Sequence, residues 1–378
     1  MGKVMVVSGE VSGEIQAARV IREIKKKVAD TIFFGMGSRI LKKEGVDIIV
    51  DPSEYSTIGF TEALKNIKVH LGHLKILKAH IKERKPDVIF LIDYSGFNML
   101  MARLAYKKRI PAVDYFPPSA WVWGKWRAGW MARYNPRIAA VLPMEADIYQ
   151  KAGARVDFVG HPLLDVINIE KSREEIYQHL ELNPGQKIIG ILPGSRKSEI
   201  ENLLPELLKA AERLQKEDRS LQFVLALASS ELYSRVIEIS REYSLVFKIV
   251  KDYTYELMRT ADLLIMSSGT ATLEATIMGT PMIVIYKTGR SSFLLSKKIM
   301  KVDFIAMPNI IAGREIVPEF IQDEANEARI FQEARKLINN PGALNIMKSN
   351  LKEIKNRLGN GGAVKRTAEL VLKEGGLA

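Results

Sequence analysis

Short apolar runs alternate with longer stretches of helical spacing along the whole chain. The runs Val4–Val7, Thr31–Phe34, Val88–Ile92, Ala112–Tyr115, Ala139–Leu142, Val156–Val159, Lys187–Leu192, Gln222–Ala228, Leu263–Met266 and Met282–Tyr286 read as buried strands. Between them Ile15–Lys27, Glu199–Gln215 and Ala271–Met278 carry apolar residues at the spacing of a helix. Such alternation predicts βαβ units and parallel sheets. So many strands are too many for one ordinary sheet, so the pattern predicts an α/β chain of two Rossmann-like halves. A boundary is expected at Gly160-His161-Pro162, before the polar segment Glu170–Glu181. The expected domains are 1–164, 165–342 and a C-terminal helical segment, 343–378, interrupted by Gly359-Asn360-Gly361-Gly362.

One amphipathic segment stands apart. Phe60, Leu64, Ile67, Leu71, Leu74, Leu77 and Ile81 recur at spacings of three and four, which predicts a helix over 60–85. Lys65, Lys68, Lys75, Lys78, Lys82, Arg84 and Lys85 fill much of its other surface. That face reads either as a solvated surface over a core-packed helix or as a contact for anionic lipid headgroups. The apolar run Val4–Val7 is too short for a signal-peptide core, and no stretch nears the roughly 18 apolar residues of a spanning helix. The expectation is a protein in solution or lying on a membrane surface.

Composition narrows the chemistry. The 378 residues include no cysteine, which excludes disulfides, thiolate metal sites and a cysteine nucleophile. The net charge is +12, and residues 1–160 alone hold 26 Lys and Arg against 16 Asp and Glu. The basicity therefore belongs to the N-terminal half. All four tryptophans fall there too, at Trp121, Trp123, Trp126 and Trp130. They read as a packed aromatic loop, a sugar-stacking platform or an interfacial anchor. No nucleic-acid motif accompanies them.

Four turns can carry chemistry. Ser8-Gly9-Glu10-Val11-Ser12-Gly13-Glu14 follows the first strand. Its small residues let a ligand approach a helix N-terminus, and its carboxylates suit hydroxyl recognition or base catalysis better than phosphate. Helix capping by Ser12, with Glu14 in the first turn, is the plainer alternative. Asp93 stands at the C-terminal end of Val88–Ile92, where open α/β sheets place their ligands. It reads as a catalytic acid or as a helix cap. Leu192-Pro193-Gly194-Ser195-Arg196 gathers backbone amides, a hydroxyl and a guanidinium, a good diphosphate site. Ser267-Ser268-Gly269-Thr270 repeats that logic, and Glu274 lies one turn on, placed for a ribose diol. Neither turn is a P-loop. His70 and His73 lie one helical turn apart, but no H-E-x-x-H, G-x-S-x-G or D-x-D motif occurs. No metal site is predicted.

Taken together, the motifs resemble the bacterial lipid-A-disaccharide synthases, inverting glycosyltransferases of GT-B architecture. The resemblance runs nearly the whole chain. It is carried by Ser8–Glu14, Pro86-Asp87-Val88 through Asp93 and Phe97-Asn98, Pro118-Ser119-Ala120-Trp121-Val122-Trp123, Phe158–Leu163, Leu192–Arg196, Ser268–Ala275 and Met307–Glu315. It implies two Rossmann-like domains facing a central cleft, with the C-terminal helix packing back on the N-terminal domain. The implied reaction joins UDP-2,3-diacylglucosamine to 2,3-diacylglucosamine 1-phosphate (lipid X), giving a β-1,6 disaccharide and UDP without a cofactor. By position, Asp93 matches the family's essential aspartate. Glu10 and Ser12 match acceptor-side residues, while Arg196, Glu274 and Asn309 match residues around UDP. The family's membrane-facing patch maps onto the start of the 60–85 helix, implying contact with the cytoplasmic face of the inner membrane. Family members can exchange C-terminal elements in a homodimer. Departures fall in the acceptor half. Gly96 replaces a second aspartate, Glu14 an aspartate, and Asp114-Tyr115-Phe116-Pro117-Pro118-Ser119 a His-Tyr-Val-Ser-Pro-Ser segment. Gly124 likewise replaces an Arg or Gln-rich start after the Trp-x-Trp. Two other readings remain: a different UDP-sugar enzyme such as a UDP-N-acetylglucosamine 2-epimerase, and a noncatalytic lipid- or nucleic-acid-binding protein on the same scaffold.

Overall fold

The strands build two parallel sheets in a computed structural model that describes residues 1–52, 60–169, 171–289 and 303–377. The side chains of residues 60–67 and of Trp123 lie outside the description. The first sheet contains β1 (Lys3–Ser8), β2 (Ile32–Met36), β3 (Asp47–Val50), β4 (Val88–Ile92), β5 (Ala112–Tyr115), β6 (Arg137–Ala140) and β7 (Arg155–Phe158). Its order is β3-β2-β1-β4-β5-β6-β7. The second contains β8 (Ile188–Leu192), β9 (Gln222–Leu227), β10 (Lys248–Lys251), β11 (Leu263–Ser267), β12 (Met282–Tyr286) and β13 (Glu319–Ile321). Its order is β10-β9-β8-β11-β12-β13. The central strands are apolar throughout because helices cover both faces. Val4 through Val7, Val88 through Ile92 and Leu263 through Met266 are all fully buried.

The chain divides into two compact units, Met1–Asp165 with Leu358–Ala378, and Val166–Arg357. The expected segment 343–378 is thereby split. The helix Pro341–Arg357 buries Leu344, Met347, Leu351 and Ile354 within the second unit. The helix Ala363–Glu374 returns to the first, against the helix Val11–Lys27 and β5. Its N-terminal amides explain the stop: the Asp165 carboxylate accepts from the N–H groups of Gly362 and of Val364, the latter at 3.1 Å. Arg366 donates to the carbonyls of Val159 (2.6 Å) and Asn360 (2.8 Å), and Lys27 pairs with Glu369 at 2.6 Å.

The basic helix spans Phe60–Arg84. Leu77 and Ile81 enter the core beside Met5, Phe34 and Ile89. Burying each contributes about 2 kcal/mol. Leu71 does not follow them and stays 54% exposed. Phe60, Leu64, Lys65 and Ile67, expected on this helix, have side chains outside the described residues. No helix among the described residues is long and apolar enough to cross a membrane. The tryptophan segment folds as two short helices, Ala120–Trp123 and Trp126–Tyr134. Trp130 packs on Tyr134 and donates from Nε1 to the Met99 carbonyl at 3.1 Å, whereas Trp126 is 61% exposed.

Candidate active site

In an open parallel sheet the ligand crevice forms where strand order reverses, because the loops there diverge to opposite faces. In the first sheet that point lies between β1 and β4. The loop after β1 carries Glu10 and Ser12, and the loop after β4 carries Asp93. The structure brings them together. Ser12 Oγ donates to Asp93 Oδ2 at 2.8 Å. Asp93 is half-buried and holds a left-handed backbone, φ 41°, an unfavourable conformation for a residue with a side chain. Its N–H donates to the Tyr115 carbonyl at 3.2 Å, which fixes the strained turn to β5. Gly13 permits the approach of the helix: a Cβ there would lie 3.1 Å from Asp93 Cβ and 2.7 Å from Ser8 Oγ. Burial pushes the Asp93 carboxyl above its ordinary value, the Ser12 hydroxyl opposes that shift, and the nearby Glu10 charge adds to it. Such a carboxylate is a better base than an exposed one.

The capping reading of the first loop is corrected. Glu10, not Ser12, occupies the N-cap, and its side chain makes no cap bond. Glu14 turns inward, 2% exposed, and accepts from Ser38 N (2.9 Å) and Ser38 Oγ (2.8 Å). It anchors the next loop instead of facing the crevice.

The second sheet reverses between β8 and β11, the corresponding place. A cavity of about 530 Å³ opens there, lined by Gly194, Ser195, Arg196, Ser268, Gly269, Thr270 and Glu274. Seven of the eight predicted donor-side residues therefore share one pocket. Thr254 and Tyr255 complete it. Tyr255 donates from its hydroxyl to Glu274 Oε1 at 2.9 Å, and burial raises the Glu274 carboxyl. Nothing in the spacing of Tyr255 pointed to this role. Arg196 opens the helix Lys197–Glu217 with an exposed guanidinium. The amides of Ser195 (2.8 Å) and Arg196 (3.2 Å) donate to Glu199 Oε2. Gly194, at φ 117°, makes room for that carboxylate, since a Cβ would sit 2.3 Å from the same oxygen. The sequence reading offered these amides to a diphosphate. In the structure Glu199 already uses two of them and also pairs with the exposed Arg196 guanidinium at 3.6 Å, so that guanidinium and the Thr270 helix start are the positive groups lining the pocket.

Asn309 is the eighth, and the structure does not place it in the pocket. It is fully buried. Its Nδ2 donates to the Val317 carbonyl (2.9 Å) and Glu319 Oε1 (2.7 Å), and its Oδ1 accepts from Ile316 N (2.7 Å) and Val317 N (3.0 Å). All its hydrogen-bonding capacity is spent inside the fold. Its effect on the pocket is indirect. Glu319 also accepts from Ile305 N and Ala306 N, and the Ile305 carbonyl accepts from Ser268 Oγ at 2.9 Å. The two neighbouring histidines do not gather a metal set: His70 Nδ1 lies 3.4 Å from the Tyr94 hydroxyl and its ring packs on Phe97. A slightly larger hollow, about 580 Å³, opens at the other end of the second sheet near Gln222 and Lys248, and none of the predicted residues lines it.

Known proteins share both the sequence and the shape. The sequence profile of the lipid-A-disaccharide synthetase family matches residues 4–373. The lipid-A-disaccharide synthase of Geobacter sulfurreducens is 36% identical over 98% of this chain and 97% of its own. That of Nitrosococcus oceani is 36% identical over 98% and 95%. Among solved structures, the UDP-GlcNAc 2-epimerase from Neisseria meningitidis, bound to UDP-GlcNAc, superposes with a TM-score of 0.63 at 16% identity, covering 98% of this chain and 100% of that one. The MurG protein of Acinetobacter baumannii gives 0.62 at 12% identity, covering 98% and 99%. These two likenesses establish the GT-B fold alone. Identity along nearly the full length of both chains establishes more: the chain belongs to the lipid-A-disaccharide synthase family and is a hexosyltransferase.

Proposed function

We propose that the protein transfers the acylated sugar of UDP-2,3-diacylglucosamine to the 6-hydroxyl of 2,3-diacylglucosamine 1-phosphate with inversion at the anomeric carbon. The observation that carries this reading is the Ser12–Asp93 pair at the first switch point. Asp93 takes the proton of the acceptor hydroxyl. The oxygen then bonds to the anomeric carbon as the bond from that carbon to the UDP oxygen breaks. The proton ends on Asp93 and the electron pair leaves with UDP. A strained, half-buried carboxylate suits the first step because it is pre-aimed and its affinity for a proton is raised. Glu10 and Ser12 orient the acceptor and the base.

The second unit supports the donor side. The Arg196 guanidinium and the Thr270 helix N-terminus offset charge on the departing diphosphate, and Glu274 accepts from a ribose hydroxyl. No metal or cofactor enters this reading. The basic helix 60–84 and exposed Trp126 support peripheral contact with an anionic membrane surface, in keeping with acylated substrates. Liposome co-sedimentation should weaken with salt and with Leu71→Glu.

One assay tests the reaction: purified protein, both lipids, and mass spectrometry of the products. A tetraacyl disaccharide 1-phosphate and UDP are expected. UDP release, or sugar epimerisation, without lipid X would instead favour the epimerase-like reading.

A further inference from the structure

Behind Asp93 the first unit buries two more carboxyl groups. Asp114, on β5, is 0% exposed, and Glu145, in the helix Pro143–Lys151, is 4% exposed. Strand register sets Asp114 opposite Leu91 and Tyr115 opposite Ile92. Asp114 therefore directly precedes the residue whose carbonyl holds the Asp93 backbone. Asn98, also fully buried, enters from the helix Ser95–Lys108. Among the described residues neither carboxyl oxygen of Asp114 and neither polar atom of the Asn98 amide makes a hydrogen bond of good geometry, although the Asn98 amide lies beside Asp114 and favours its ionised form. Glu145 Oε2 accepts from Val141 N at 3.0 Å.

The polar and charged groups around Asp114 and Glu145 come from several elements. Asp114 feels the charges of Glu145 and Asp93 and lies beside the Asn98 amide. Glu145 faces Asp93 and the amides of Val141 and Leu142. Tyr149 faces both buried carboxyls and Arg127, and donates to the Pro118 carbonyl at 2.6 Å. Asp93 faces Glu10 and Ser12 on its other side. Among the described residues neither Asp114 nor Glu145 forms an ion pair. An unpaired buried charge is costly enough that such a group keeps its proton instead. Three mutually repelling carboxyls cannot all ionise together.

We propose that Asp114 and Glu145 are positioning residues for Asp93: buried close to it, they retain their protons, which leaves Asp93 the ionised carboxyl of the group. The inference rests on the reading of Asp93 as the base. Burial as the leading cause agrees with it, holding Asp114 well above the carboxylate range and pushing Glu145 up to about 8, whereas Ser12 restrains the rise at Asp93. Ser12 thus favours the ionised form of Asp93, while burial favours the protonated form of Glu145 and Asp114. Once Glu145 ionises, its charge repels Asp93 and works against the bond to Ser12.

The test is the pH profile of kcat/KM in wild type, Glu145→Gln and Asp114→Asn/Glu145→Gln, with the melting temperature followed at every pH. Gln keeps an acceptor for the Val141 amide. The alkaline limb is expected to move up by about one pH unit or more in Glu145→Gln and further in the double variant, while the acid limb, which belongs to Asp93, stays in place. A uniform loss at every pH, or an unmoved alkaline limb, would overturn the proposal. Carboxyl ¹³C NMR reads the same claim without turnover. Glu145 should be protonated at pH 7 in the wild type and should titrate at lower pH in Asp93→Asn, where the repelling charge is gone. An ionised Glu145 at pH 7 overturns the inference even if Asp93 is the base. An active Asp93→Asn overturns the base reading while the NMR result stands.

Discussion

The two switch points occupy the same place in sheets of the same topology, yet they carry opposite chemistry. Between β1 and β4 stand a carboxylate and a hydroxyl, Asp93 and Ser12, at 2.8 Å. Between β8 and β11 stand a guanidinium, two helix starts and the hydroxyls of Ser268 and Thr270, with the Glu199 and Glu274 carboxyls held by Arg196 and Tyr255. The scaffold sets where a ligand meets the sheet. The side chains set whether the crevice takes up a proton or offsets negative charge. Overall charge would have assigned these roles the other way round. Residues 1–160 carry the chain's excess of Lys and Arg, but their crevice is acidic. Many of those cations lie on exposed surfaces, such as Lys75, Lys78 and Lys82 of the helix 60–84. In both places a neighbour fixes the local geometry: Ser12 holds Asp93, and Glu199 ties down the Gly194-Ser195-Arg196 turn.

If the first crevice does the proton chemistry, Asp93→Asn should lower kcat by about 10³-fold with little change in donor KM. A steady-state kinetic comparison reads the split. If the second crevice holds the diphosphate, Arg196→Ala should lower kcat/KM for the UDP-sugar by about 10–100-fold, the loss of one charge-assisted contact. UDP titration calorimetry on the same variant should show a matching loss of affinity, which Asp93→Asn should not. Glu274→Gln should cost less, about tenfold in kcat/KM, because Gln keeps an acceptor for the Tyr255 hydroxyl. The smallest effect is the sharpest on the comparison. Ser12→Ala removes the bond that favours ionised Asp93, so the Asp93 carboxyl should rise further. Activity falls as pH drops through that value, so the acid limb of kcat/KM should move to higher pH by about half a unit to one unit. Arg196→Ala should leave that limb where it is.

Much of this was readable in the sequence. The buried central strands, both switch-point loops and the helix stop near Gly359–Gly362 all come from runs and turn residues. Three strands, β3, β10 and β13, were not predicted, and each is an edge strand. Their sequences, Asp47–Val50, Lys248–Lys251 and Glu319–Ile321, are short or interrupted by charge because an edge needs less burial, so the apolar signal is weak. At the sites, residue type and loop position pointed to the two switch points at which the structure places Asp93 with Ser12 and Arg196. They failed for Asn309, where a polar residue in a quoted motif proved to be saturated within the core. Asp114 stood in a motif and Glu199 opened a predicted helix, but their contacts arise across the fold. Those contacts arise from register and burial, which a linear pattern does not encode.

The most direct test of the division between the two crevices is product formation by Asp93→Asn and Arg196→Ala, followed by mass spectrometry from UDP-2,3-diacylglucosamine and lipid X, with UDP affinity measured in parallel. The account predicts that Asp93→Asn binds UDP as wild type does yet makes disaccharide about 10³-fold more slowly. It predicts that Arg196→Ala loses UDP affinity. Wild-type disaccharide formation by Asp93→Asn, or weakened UDP binding in that variant alone, would contradict it.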